Sequence, residues 1–320
     1  MTPRRPAPRP ARRPARRRAA LLAAALALSP LAAPAAVPEV ATDIPPVHSL
    51  VAQVMDGLGS PGLLMDQGAD AHDYQMRPSQ ARALAGADLL FWIGPEMTPW
   101  LARAVEGGSG GRAVALLAAP GTTLRDFAPG DGGAAGHAGD GEGDHDHHAG
   151  TDPHAWLDAG NAALWLELIA AELAAADPAN AAAYAANAAA AKARIAAIDA
   201  ELAARLAPAK DRPVVFHHAA LGYFAARYGL TVAGSLAPGD AAAPGAARLS
   251  EIRAALAGVA CIFPEAEQDA GLVAAVAEGT GARVGGALDP EGRALPPGPE
   301  LYGDLLRALG QTIADCLAPA

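Results

Sequence analysis

Short apolar runs alternate along the first part of the chain with segments of helical periodicity. The runs are four to six residues long, as expected for buried strands. Between them the pattern predicts helices over 49–58 and from Pro78 onward, where a proline suits the first helical turn. Strands that alternate with helices in this way indicate βα units around a parallel sheet. The predicted strands occupy residues 39–42, 62–65, 88–93 and 113–117.

A long alanine-rich stretch follows, and it predicts a helix over 159–176 and a second one from Asp177-Pro178 to about Leu206. A helix of about 28 residues would span ~42 Å, enough to connect two lobes. Strands and helices then alternate again, and Ser250 is the expected N-cap of the helix over 250–256. The predicted strands here are 213–216, 261–263 and 282–284, and the helices are 219–228, 250–256, 269–278 and 301–317.

The fold class that this pattern predicts is α/β, with two lobes built on parallel sheets and joined by one long rigid helix. The expected boundaries are 37–176 for the N-terminal lobe, 177–207 for the linker helix and 208–320 for the C-terminal lobe.

The first 36 residues have the pattern of a secretory signal peptide. Eight arginines and no acid precede a short apolar run that Pro30 interrupts, and small residues follow. This pattern predicts cleavage and export to the periplasm. No later stretch is expected to be apolar for long enough to cross a bilayer.

Charge narrows the possible partners. The chain has 24 basic and 34 acidic residues. With the eight arginines of the predicted signal removed, 16 basic residues face 34 acidic ones, a net charge of −18 with histidine neutral. Such a surface repels nucleic acid and favours cations without selecting one.

A glycine-, aspartate- and histidine-rich segment, residues 129–150, interrupts the α/β pattern. It has too few apolar residues to order itself, so a flexible surface loop is expected. Imidazoles among carboxylates would form a weak auxiliary site for zinc, and a solvated polar loop is the alternative. Its histidines are His137, His145, His147 and His148.

The other histidines stand singly at the ends of predicted elements. His72 lies between a strand and a helix, His154 precedes a helix, and His217 and His218 follow a strand. Each alone would more often be an ordinary hydrogen-bonded histidine. Together they could converge on a cleft between the lobes, because α/β proteins place ligands at strand ends. His48 is expected to be a plain helix-start residue.

The two cysteines, Cys261 and Cys316, allow two interpretations. In an oxidising compartment an isolated pair is a disulfide candidate, and closing a loop of this length would add ~4 kcal/mol of stability in the chain-entropy model. A pair of metal thiolates is the alternative, although no CxxC spacing supports it.

Several motifs in order make the sequence resemble the metal-binding receptors of ABC importers for zinc and manganese, specifically the zinc branch. The resemblance covers nearly all of the chain after the signal. It implies two α/β lobes, a rigid linking helix and a metal held between the lobes. The motifs include GADAHDYQMRPSQARALAGADLLFWIGPEM, TDPHAWLD, VVFHHAALGYFAARYGL, RLSEIRAAL, CIFPEAEQ and GGALDPEG.

Carried over by position, the resemblance implies His72, His154 and His218 as metal ligands. The family histidine stands five residues before the tyrosine of its GY pair, which selects His218 and leaves His217 beside the site. Asp289 is the expected fourth ligand. Some zinc members have an acid before the first histidine, where this chain has Ala71. The resemblance also implies a disulfide between Cys261 and Cys316.

Three imidazoles and one oxygen suit tetrahedral zinc, whereas manganese prefers more oxygen donors. Zn²⁺ is therefore the expected transported ligand, with affinity that weakens below about pH 6 as the histidines protonate. Asp73 and Asp152 are expected to orient the imidazoles, with a helix cap as the alternative role of Asp152.

The expected function is a monomeric periplasmic zinc receptor that delivers zinc to a membrane permease with its ATPase, and not an enzyme. A zinc buffer or chaperone is the first alternative. A zinc hydrolase is the second, but the sequence has no HExxH helix, and Glu265 is the only nearby acid to nominate as a general base.

Overall fold

Two parallel four-stranded sheets organise the chain. The computed structural model describes residues 1–2, 37–72, 74–108, 110–128, 150–237, 245–266 and 268–319. The first sheet has the order β2-β1-β3-β4, with every neighbouring pair parallel. Its strands are β1 (Val40–Thr42), β2 (Gly62–Leu63), β3 (Leu89–Trp92) and β4 (Arg112–Ala115), and its helices are α1 (Pro45–Val54), α2 (Pro78–Gly86) and α3 (Pro99–Glu106).

The second sheet repeats this plan with the order β6-β5-β7-β8, again parallel throughout. Each helix here has a buried side toward the sheet and an exposed side, as a βα unit requires. The strands are β5 (Val214–His218), β6 (Val232–Ala237), β7 (Cys261–Phe263) and β8 (Arg283–Val284). The helices are α6 (Gly222–Tyr228), α7 (Ala246–Ala255) and α8 (Ala270–Ala277).

Three further helices pack together through α5: α4 (Ala159–Ala176), α5 (Ala181–Leu206) and α9 (Leu301–Leu317). The 26 residues of α5 follow a 3-10 turn at Pro178–Asn180 and span ~39 Å. Its apolar face contacts α1, α4 and α9. Buried residues of α5, such as Tyr184, Ile195 and Leu202, belong to the same hydrophobic cluster as residues of both sheets.

Helix α4 differs from the sequence expectation about membrane spans. By length and composition alone it could cross a bilayer, and it is the one described helix that passes this test. Its side chains Trp165, Ile169 and Leu173 are fully buried inside the protein. Burial against α5 accounts for its apolar composition, because a core helix shows the same pattern.

The predicted α/β class with two parallel sheets and a long helix is confirmed, while some elements differ. Helix α3 and strand β6 were not predicted, and the prediction of Ser250 as an N-cap is wrong, because α7 begins four residues earlier at Ala246. The residue before α7 is Gly245, which makes no side-chain cap. Cys261 and Cys316 form a disulfide that ties the start of β7 to the end of α9.

Candidate metal centre

Three predicted ligand histidines come from three separate segments. His72 lies on the loop between β2 and α2, and its backbone N–H donates to the Asp70 carboxylate over 3.0 Å. His154 immediately precedes a 3-10 turn that leads into α4. His218 is the last residue of β5. Loops and strand ends thus present all three side chains, as parallel sheets generally do.

The structure brings these three imidazoles together. The distances between ring centroids are 5.4 Å for His72 and His154, 5.9 Å for His72 and His218, and 5.0 Å for His154 and His218. One ring nitrogen of each lies within 4.8 Å of the others, which is a spacing that one metal ion can bridge. We call this group the histidine triad.

A carboxylate fixes the ring of His154. Asp152 Oδ1 lies 2.7 Å from His154 Nδ1 and accepts the His154 backbone N–H over 2.9 Å. Both side chains are buried. With Nδ1 bound to the carboxylate, the buried Nε2 of His154 has no hydrogen-bond partner in the described structure. A carboxylate behind a histidine and a free second nitrogen are typical of metal ligation.

A second carboxylate fixes the ring of His218. Glu265 Oε2 lies 2.9 Å from His218 Nδ1, and both side chains are buried. Glu265 follows β7, and β7 pairs in parallel with β5, with Phe216 opposite Phe263. The carboxyl ends of both strands therefore meet at one edge of the second sheet, which explains a contact between residues 47 positions apart.

Burial favours the neutral form of the His72 and His154 imidazoles, which is the form that binds metals. It lowers the pKa of His154 well below the ordinary value, and His218 adds to the effect. Burial likewise lowers the pKa of His72 well below its usual value, with further contributions from His154 and His218. Protons therefore compete for these nitrogens at a lower pH than they would for an exposed histidine.

A buried arginine stands beside the triad. Arg293 has Nη1 at 3.5 Å from Asp70 Oδ2, Nη2 at 3.4 Å from Glu265 Oε1 and Nε at 3.9 Å from Glu291 Oε2. Asp70, His72 and Glu291 form a second group of metal-capable side chains, and it shares His72 with the triad. Burial raises the pKa of Glu291 to about 8, although Arg293 opposes the shift.

Sequence reasoning missed Arg293 and Glu291, and it considered Glu265 only as a possible general base. The available signal for Arg293 and Glu291 was their place in LDPEGRAL, next to the nominated Asp289. Nothing in that motif indicates that its arginine faces two acids from elsewhere in the chain.

The other predicted site residues have different positions. The Asp289 carboxylate accepts the backbone N–H groups of Arg293 and Ala294, and it belongs to neither metal-capable group of the described residues. His217 precedes His218 in β5 and points to the opposite face, because side chains alternate along a strand. His48 lies in the first turn of α1 and also outside both groups. Asp73 and the loop histidines His137, His145, His147 and His148 lie outside the described residues.

The fold is that of a two-lobed α/β protein, and its buried imidazole nitrogens have the spacing that a divalent metal ion would require. Comparison with known proteins identifies its family. The family model described as "Zinc-uptake complex component A periplasmic" matches residues 40–316. The chain therefore belongs to the zinc-uptake complex component A family.

Individual relatives agree with this assignment. A high-affinity zinc uptake system protein ZnuA from Paracoccus denitrificans is 49% identical over 302 residues, covering 87% of this chain and 91% of the relative. The protein of the same description from Brucella suis is 37% identical over 315 residues, with the same coverage.

Solved structures share the fold. The periplasmic zinc binding protein TroA from Treponema pallidum superposes with a TM-score of 0.73 at 22% identity, covering 88% of this chain and 99% of that one. FpvC from Pseudomonas aeruginosa, in complex with Mn²⁺, gives 0.73 at 21% identity, covering 88% and 98%. At these identities the likeness establishes the fold alone.

Proposed function

We propose that this protein is a periplasmic receptor that binds Zn²⁺ with high affinity and delivers it to an ABC importer. The observation that carries the proposal is the convergence of His72, His154 and His218, with ring nitrogens within 4.8 Å of one another. The names of the relatives, which are zinc uptake proteins, support zinc as the cargo.

The donor set suits zinc. Zinc takes imidazole nitrogens at about 2.0–2.1 Å in a tetrahedral arrangement, and three histidines leave one position for an oxygen donor. The carboxylates of Asp152 and Glu265 hold two of the rings through Nδ1, so these rings can ligate through Nε2. Because the rings are already oriented, binding costs little further ordering.

Delivery requires the site to open, because His154 is fully buried and His218 nearly so. Hydrogen bonds join the segment around His154 to the C-terminal lobe: Trp156 Nε1 donates to the Pro290 carbonyl, and the Tyr302 hydroxyl donates to the Trp156 carbonyl. We infer that a membrane permease with its ATPase loosens such contacts, and that α5 restricts how far the lobes separate. Export through a cleaved signal at residues 1–36, and action as a monomer, belong to the same proposal.

Calorimetric titration of zinc into the chain from residue 37 tests the proposal, beside a variant with His72, His154 and His218 all changed to alanine. The parent should bind one zinc ion tightly, and the triple variant should lose this site. Equal tight binding by both proteins would place the site elsewhere and favour a zinc buffer or chaperone.

Deletion of residues 131–150 separates the triad from the histidine-rich segment. We expect the tight site to remain and weaker binding to disappear, because the triad is built from residues outside the deletion. Loss of the tight site would contradict this division of roles.

A further inference from the structure

The metal centre has an oxygen-rich side that the triad does not use. Asp70 and Glu291 approach His72 closely enough for their ligand atoms to lie within 4.8 Å of one another. Glu291 is buried, and its Oε2 has no hydrogen-bond partner in the described structure. Two carboxylates and one imidazole are donors of the kind that manganese prefers to an all-nitrogen site.

The Arg293 guanidinium lies among the carboxylates on this side. Its three nitrogens face Asp70, Glu265 and Glu291 at distances between 3.4 and 3.9 Å, and the side chain is only 5% exposed. These acids come from three separate segments: the loop after β2, the residues after β7 and the loop before α9. One fixed positive charge therefore faces acidic side chains from both lobes.

The backbone around Arg293 fixes this position. The Asp289 carboxylate accepts the Arg293 N–H over 3.0 Å and the Ala294 N–H over 2.9 Å. Leu288 and Ala266 are joined by a backbone hydrogen bond of 2.7 Å, which connects the same loop to the segment that carries Glu265. These hydrogen bonds fix the loop that carries Arg293, and so they fix the position of its guanidinium.

We propose that Arg293 is a specificity-determining positioning residue, which directs the metal to the histidine triad by occupying the carboxylates of Asp70, Glu265 and Glu291. This proposal rests on the function proposed above. A guanidinium is always charged, donates in several directions and accepts nothing, so carboxylates that face it are less able to bind a second cation. Ions that depend on oxygen donors, such as Mn²⁺, lose more from this than Zn²⁺ does.

The measured quantity is the ratio of the Mn²⁺ and Zn²⁺ affinities. Zinc affinity is obtained by competition with a chelator, and manganese affinity from the loss of the free-ion electron paramagnetic resonance signal. In R293M, an apolar side chain of similar length removes the charge. The ratio should shift toward manganese by at least about tenfold.

The ratio distinguishes this role from two simpler ones. If Arg293 only repelled cations in general, both affinities would rise together in R293M. If it only held the fold, both would fall together. An unchanged ratio in either case would overturn the proposal. R307M removes an arginine that is 48% exposed on α9, and it controls for the change in net charge.

Two further variants test the cause of the shift. R293K keeps the charge but cannot reach all three acids at once, so its ratio should lie between those of the parent and R293M. R293M/E291Q removes one of the released carboxylates and should cancel most of the manganese gain. A ratio that remained high in this double variant would contradict the role given to Glu291.

Thermal melting shows whether R293M folds. If it does not, R293Q takes its place, because it removes the same charge and keeps polar atoms at this buried position. Failure of the proposed function has a different signature, namely weak zinc binding by the parent protein. Failure of this inference is an unchanged ratio in a parent that binds zinc tightly.

Discussion

The metal centre contains two carboxylate–histidine pairs. In both, a carboxylate contacts the Nδ1 atom of a histidine, but the two carboxylates differ in sequence separation and in pKa. Asp152 and His154 are two residues apart, whereas Glu265 and His218 are 47 positions apart. Burial raises the pKa of Asp152 to about 7. Burial also acts to raise the pKa of Glu265, but the hydrogen bond and the charge of His218, with a smaller contribution from Arg293, outweigh it, so this pKa is lowered.

The difference shows how neighbouring groups decide whether a buried carboxylate keeps its charge. The hydrogen bond and the charge of His218 lower the pKa of Glu265 most, and Arg293, with Nη2 at 3.4 Å, adds to this, so Glu265 stays ionised as the pH falls. Asp152 has no ion pair with an arginine or lysine among the described residues, and it gains a proton near neutrality. The second pair therefore has a fixed charge, and the first has a charge that depends on pH.

The largest expected effect comes from removing one ligand of each pair. H154A and H218A should each reduce zinc affinity by more than about 100-fold, because loss of a ligand exceeds the 10- to 100-fold effects typical of its carboxylate partner. Chelator competition measures this loss. H217A is the matched control, since it removes the neighbouring imidazole on the opposite face of β5 and should leave zinc affinity little changed. An equal loss in H217A would show that the triad is wrongly assigned.

The next effect comes from the carboxylates. D152N and E265Q should each weaken zinc binding by about 10- to 100-fold. We expect E265Q to be the more damaging, because it releases His218 and also removes one partner of Arg293. Calorimetry on both variants measures the difference. A clearly larger loss in D152N would mean that Arg293 does not contribute to holding the second pair.

Thermal stability of the metal-free protein should depend on pH with opposite signs for the two acids. A pKa raised from 3.8 to about 7 means that folded Asp152 binds a proton that the unfolded chain does not. The parent should therefore gain stability relative to D152N as the pH falls from 7 to 5.

Glu265 should behave in the opposite way. Because its pKa is lowered from 4.5, its contribution is complete above that pH and is lost on further acidification. The melting temperature of the parent minus that of E265Q should stay level between pH 7 and 5. Melting temperatures precise to within about 1 °C suffice, since 1 kcal/mol corresponds to roughly 2–4 °C for domains of about 150–250 residues. Parallel pH profiles for the two variants would contradict the comparison.

The smallest expected effect comes from removing the Tyr223 hydroxyl, which contacts the backbone of Asp152 in the first pair. The Tyr223 hydroxyl donates to the Asp152 carbonyl over 3.0 Å and accepts the Arg125 N–H over 2.9 Å. Y223F leaves both backbone groups without this partner and should lower stability by about 1–3 kcal/mol. Denaturant unfolding measures the loss. Zinc affinity should fall less than in D152N, because the Asp152 carboxylate keeps its contacts with His154.

Local sequence patterns predicted the parts of the structure that depend on neighbouring residues. Buried apolar runs predicted β3 and β7, and proline and alanine patterns predicted α4 at its observed bounds and α5 to within four residues at its start. Strand β6 was missed because its sequence, VAGSLA, contains a glycine and starts with exposed residues, so it lacks a continuous buried run. Helix α3 was missed although its sequence carries a helix signal, with Pro99 at the first position and Trp100, Leu101 and Val105 spaced along one side.

The sequence predicted part of the candidate metal centre. Resemblance to a family named His72, His154 and His218, and the local spacing DPH suggested Asp152 as a partner. The contact of Glu265 with His218 depends on the pairing of β5 with β7, and the contacts of Arg293 depend on the approach of three separate segments. Such pairings are set by tertiary packing, so single-sequence patterns do not report them.

The most direct test of the central claim is a crystal structure of the zinc-loaded protein with anomalous data collected at the zinc absorption edge. We predict one strong anomalous peak among His72, His154 and His218, about 2.0–2.1 Å from a nitrogen of each ring, with Asp152 and Glu265 still on the Nδ1 atoms. A strong peak elsewhere, or a peak bound by fewer than two of these histidines, would contradict the account.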